Sequence, residues 1–87
     1  MNGWDSHQQA AAVAGIDLQE LLNVLLMAKG KQEQAIGSVL MATGESPNTE
    51  SSRNTLECTA AVAEDLDRAI GLITTALAEI QRYASGF

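Results

Sequence analysis

Three places in this chain carry residue types that could do chemistry: His7, Cys58 and the carboxylate cluster Glu64, Asp65 and Asp67. A proton relay or an activated nucleophile needs a histidine set against a second and a third group. His7 is the only histidine, and it falls near the start of the chain. Cys58 is the only cysteine, so an intramolecular disulfide and a cysteine-based zinc cluster are both excluded. It reads as a small, partly buried thiol, with an intermolecular disulfide as the lesser alternative. The three carboxylates fall on the outer face of a helical pattern, whereas hard cations take more oxygen ligands, usually from a turn. Gly30-Lys31 lacks the preceding glycine and the following Ser or Thr of a phosphate loop. These residues describe a chain that is not an enzyme and carries neither metal nor cofactor.

The elements around them are helical. At 87 residues the chain is one domain at most, 46% apolar but only 3% aromatic, and the apolar content is mostly Ala, Leu, Ile and Val. That composition suits closely packed helices better than a sheet. A net charge of −6 disfavours nucleic acid, which is bound by neutralising phosphates, and it disfavours adsorption to an anionic membrane. Residues 10–28 are rich in apolar types, but Asp17, Gln19, Glu20 and Asn23 interrupt them, so no membrane insertion is expected. No basic segment precedes that run, which argues against a cleavable signal peptide.

Gly44-Glu45-Ser46-Pro47-Asn48 organises the rest. Gly44 can close a helix in the left-handed conformation, Ser46 can cap the next helix, and Pro47 suits a first helical position. So short a connection predicts an αα-hairpin. The expected elements are a helix over 6–43, continuous or broken near Gly15, a turn at 44–46 and a helix over 47–85. Asp5 and Ser6 are candidate caps for the first helix, and folding about Ser46 places residue 84 near residue 8.

Both arms carry heptad seams. In the second, Leu56, Thr59, Ala63, Leu66, Ile70, Ile73, Leu77, Ile80 and Ala84 alternate by three and four, flanked by Val62, Ala69, Ala76 and Tyr83. In the first, Ala11, Ala14, Leu18, Leu21, Leu25, Ala28, Gln32, Ala35, Val39 and Ala42 do the same, widened by Leu22 and Ile36. From Leu21 to Ala28 this arm is apolar almost all round, more than one neighbouring helix could cover. Gln32 reads either as part of a solvated waist or as a buried amide that fixes register. Gly30 and Gly37 lie away from the seam, where close approach of another helix would offset their helical cost. The expected fold is all-α, an antiparallel two-helix hairpin completing a four-helix bundle by dimerisation. The seam residues Leu18, Leu21, Leu25, Val39, Leu56, Leu66, Ile70, Ile73, Leu77 and Ile80 are its candidate partner-binding residues.

Two long antiparallel helices around a central turn, in a chain of slightly under a hundred residues opening Gly3-Trp4-Asp5, resemble the ESAT-6/WXG100 superfamily. The resemblance implies a small type VII secretion substrate, or the partner of one, exported without a cleavable signal peptide or held in the cytoplasm before export. It implies a homodimer or a heterodimer with a paralogous hairpin, and as further partners a larger secreted toxin or the secretion ATPase. Where the family's turn carries Trp-x-Gly, this one reads Thr43-Gly44-Glu45-Ser46-Pro47. Tyr83 matches the tyrosine of the family's Tyr-x-x-x-Asp/Glu signal, with Phe87 at the acidic position; as a bare residue it is also a packing position on the flank. The rival expectations are a cytosolic adaptor or secretion-chaperone-like module, and a polymerising hairpin of the needle kind.

Overall fold

The computed structural model describes residues 3–44 and 48–86, with side chains from residue 6 onward. Two helices make up the fold, α1 (Gly3–Thr43) and α2 (Glu50–Ser85), packed antiparallel as an all-α hairpin. At ~1.5 Å per residue the 41 residues of α1 span about 61 Å. The molecule is accordingly a rod of 66 × 15 × 14 Å.

α1 runs unbroken through Gly15. Its helical backbone already includes Asp5 and Ser6, so neither is an N-cap. At its end, Thr43 Oγ1 donates to the Val39 carbonyl at 2.8 Å, and Gly44 takes φ +79°, the left-handed conformation that stops a helix. The calls on Trp4, Ser46 and Pro47 concern side chains outside the described residues. α2 starts at Glu50, three residues later than the proline suggests. The cap is Thr49, extended at φ −108° and ψ 156°, whose Oγ1 accepts from Ser52 N at 3.1 Å. Glu50 beside it complements the positive end of the helix dipole. The Ser/Thr-rich turns that follow are helical. Thr55 and Thr59 donate to the carbonyls of Ser51 and Thr55 at 2.8 and 2.7 Å, the back-bond by which a mid-helix threonine satisfies its hydroxyl.

The α2 seam lies where its spacing put it: every position from Leu56 to Ala84 is half-buried, and Ser52 extends the line by one turn. The α1 seam is corrected. Its covered line runs Ala11, Gly15, Leu18, Leu22, Leu25, Lys29, Gln32, Ile36, Val39 and Thr43. One column of the expected heptad is therefore right; in the other, Ala14 and Ala28 stay half-buried beside Gly15 and Lys29, while Leu22, Ile36 and Thr43 take the places of Leu21, Ala35 and Ala42. Leu21 is 43% exposed, and Ala35 and Ala42 are exposed with it. The cause is volume and reach. Against the narrow ridge of α2, Leu22 and Ile36 bury more apolar surface than Leu21 and Ala35. The aliphatic stem of Lys29 can also cover the seam while its ammonium escapes sideways. Gly30 and Gly37 have nothing within 4 Å of where a Cβ would stand, so no close approach within the chain explains them.

Ile70→Asp or Ile73→Asp places an uncompensated carboxylate in the seam and is expected to cost at least about 3 kcal/mol, abolishing cooperative unfolding. Glu64→Ala, on the exposed back of α2, is expected to change stability by less than ~0.5 kcal/mol. Thermal melts followed by circular dichroism read both, and equal melting temperatures for the three variants would refute the register. Thr49→Ala should cost about 1 kcal/mol through loss of the cap; an unchanged melt would move the start of α2 elsewhere.

Candidate functional site

Two helices touch along one line, and what they leave open is the candidate site. The seam residues proposed as partner-binding, Leu18, Leu25, Val39, Leu56, Leu66, Ile70, Ile73, Leu77 and Ile80, are all half-buried, turned to the other arm and open along their outer edges. Leu21 leaves the seam and joins the open surface, where Val62 (45% exposed) and Tyr83 (53%) also stand.

The heptad decides which side each flank faces. In an antiparallel pair the residue just before the first seam position of one helix lies on the same side as its counterpart on the other. On one side this gathers Ala14, Leu21, Ala28, Ala35 and Ala42 of α1 with Thr55, Val62, Ala69, Ala76 and Tyr83 of α2. None of these ten is charged. Midway along, Ala28, Lys31, Gln32, Ala35, Cys58, Thr59, Val62 and Leu66 line an open groove of about 530 Å³. Cys58 is exposed at its rim, correcting the expectation of a partly buried thiol.

The opposite side is mixed. Glu33, Arg53 and Asp67 stand on its flanks together with the exposed Leu26 and Leu40, and an ion pair crosses it from Lys29 Nζ to Asp67 Oδ1 at 2.7 Å. A smaller cleft, about 360 Å³, opens near the far end where Gly15 leaves a dent beside Ile80 and Ala84. The outer face of α2 carries local pairs, Arg68 with Asp65 at 3.5 Å and Arg82 with Glu79. Among the described residues no three His, Cys, Asp or Glu side chains converge as a metal site.

Gln32 resolves the two readings of the polar waist. The amide is buried, 9% exposed, and its Nε2 donates to the Thr59 carbonyl at 3.0 Å. The bond ties one turn of α1 to one turn of α2, so sliding the arms would strand a buried amide, at a cost of about 1–3 kcal/mol. Lys29 adds a second tie at the surface. The Asp67 carboxylate, by hydrogen bond and by charge, holds the Lys29 ammonium above the ordinary lysine range. Both side chains are substantially exposed, so this tie is weak and screened by salt.

α1 also contains an 18-residue window of mean hydropathy 1.5, long and apolar enough to cross a membrane by length and composition, with 6% of it buried. Asp17 and Glu20 argue against insertion, since a carboxylate at mid-span costs about 3 kcal/mol. Both are exposed beside the Gln19–Asn23 side-chain hydrogen bond.

Lys29→Met keeps the aliphatic stem and removes the charge. A raised lysine pKa gives stability that is complete below the unfolded value, near ~10.4, and is lost as pH rises through the folded value. The wild-type advantage over Lys29→Met is therefore expected to be small at neutral pH, to shrink in salt and to vanish above the Lys29 pKa. Melting curves against pH read this, and an advantage that persists in strong alkali would assign it to packing instead. No family model matches the chain, and no curated protein or solved structure is significantly similar to it.

Proposed function

We propose that this chain is a non-enzymatic helical hairpin that acts by pairing with another hairpin into a four-helix bundle, as a type VII secretion substrate or the dimerisation partner of one. The observation that carries the pairing is the set of large apolar side chains that a single line of contact leaves in water, Leu21, Leu26 and Val62 among them. Exposed apolar surface on this scale marks an interaction site. The assignment to type VII secretion rests on the hairpin architecture and on the sequence resemblance. Tyr83, on the last turns of α2, is the candidate remnant of the export signal, and a partner chain would supply the acidic residue missing at Phe87. A cytosolic adaptor uses the same pairing without export.

Export from an actinobacterial host with an active type VII system separates the two. The wild-type chain, expressed with its neighbouring genes, is expected in the culture medium, and Tyr83→Ala is expected to stay in the cells. Undiminished export of Tyr83→Ala would make Tyr83 a packing residue only. Retention of the wild-type chain in that setting would favour the adaptor, and open-ended growth of the purified protein with concentration would favour a needle-like polymer.

A further inference from the structure

The backs of the two helices, the faces turned away from the seam, differ in kind. On α2 the exposed line Glu57, Glu64, Arg68, Glu79 and Arg82 is charged, interrupted by Leu72. On α1 the corresponding line is Val13, Ile16, Glu20, Val24 and Met27, spaced by three and four. Its four apolar members are each at least 56% exposed, against 50% or less for Leu21, Leu26, Leu40 and Val62 on the two sides of the hairpin. Gln9 and Lys31 bound the line, so it is an apolar strip ~21 Å long with one carboxylate at its centre. In a four-helix bundle formed through either side, this strip stays outside.

Glu20 defines the occupant. Among the described residues it enters no ion pair. Residues 6–28 contain no lysine or arginine, and Lys31 stands ~16 Å farther along the helix. Asp17, on the turn before, adds a second exposed carboxylate at the edge of the strip. A wholly apolar occupant would bury the Glu20 charge unpaired, and an anionic bilayer would be repelled by both carboxylates. A copy of the chain laid strip on strip would set Glu20 against Glu20. An extended peptide docks by pairing with free backbone groups, which a helix does not offer. Apolar side chains at three-and-four spacing fit the grooves of another helix.

We infer that the back of α1 from Val13 to Met27 is a docking surface for an amphipathic helix of a different protein, one whose apolar stripe carries a lysine or arginine that meets Glu20. The four apolar side chains hold that helix, and Glu20 selects it and sets its register. The inference goes beyond the pairing reading, because it uses a face that pairing leaves open.

A library of displayed helical peptides with one face randomised, selected against the immobilised full chain, tests it. The enriched peptides are expected to carry one Lys or Arg among apolar residues at three-and-four spacing. Once synthesised, they should bind the wild type and Leu72→Asp, a change on the back of α2, equally well. Glu20→Arg should weaken them at least tenfold, and changing the peptide's own cation to glutamate should restore binding to that variant. The restored pair shows that Glu20→Arg folds. Enriched peptides without a cation, or with an affinity indifferent to Glu20→Arg, would overturn the inference, as would a selection without enrichment. Displacement of the peptides by excess free chain would make the occupant a copy and overturn it too. A chain that binds these peptides yet sediments as a monomer at every concentration, alone or with its neighbouring gene products, would keep this docking surface and lose the pairing reading.

Discussion

Everything in this molecule depends on one line of contact between two helices. A helix pair can cover a stripe on each member but cannot surround a side chain, and the burial pattern records that limit. Among the described residues only Ala11 and Gln32 count as buried, and no large side chain is fully enclosed. The large apolar residues of both seams are half-covered, so each contributes only part of the stabilisation that full burial would give. A chain of this size without a disulfide is marginal on its own core. A second layer of helices is the physical remedy.

The polar waist has a place in the same logic. Interlocking apolar heptads tolerate sliding, because one Leu–Ile contact resembles the next. The Gln32 amide and the Thr59 carbonyl do not have that freedom, since each has a partner only in one register. Lys29, one seam position earlier, covers apolar surface with its stem and sends its charge to Asp67 on the mixed side. The pair thereby sets charge across one face of the rod, while the flank columns of the other carry none. Register and sidedness both come from the stretch that looked least helical in composition.

How much of this was readable in advance depends on how unambiguous each pattern is. α2 separates apolar from charged residues cleanly, and its whole seam from Leu56 to Ala84 follows from spacing alone. α1 does not: from Leu21 to Ala28 apolar residues surround the helix, so Leu21 and Leu22 serve equally well until the shape of α2 decides. Gly44 announces the end of α1 because few other residues take its backbone conformation. The start of α2 was harder to place, since Ser46, Asn48 and Thr49 are all cap types and spacing alone does not choose between them; in the structure Thr49 Oγ1 accepts from Ser52 N. The open face was half-legible. Its α2 flank was visible as a heptad column, whereas its α1 flank was taken for part of the seam.

Small-angle X-ray scattering of the chain, purified after expression with its neighbouring genes, bears most directly on the claim that it pairs with another hairpin. Side-by-side docking doubles the mass without extending the rod. The account predicts a particle of about twice 9.2 kDa whose maximum dimension stays close to 66 Å. A particle of 9.2 kDa at all concentrations, with a radius of gyration near the 19.4 Å of the single hairpin, would contradict pairing, and a doubled mass with a doubled length would contradict the four-helix bundle.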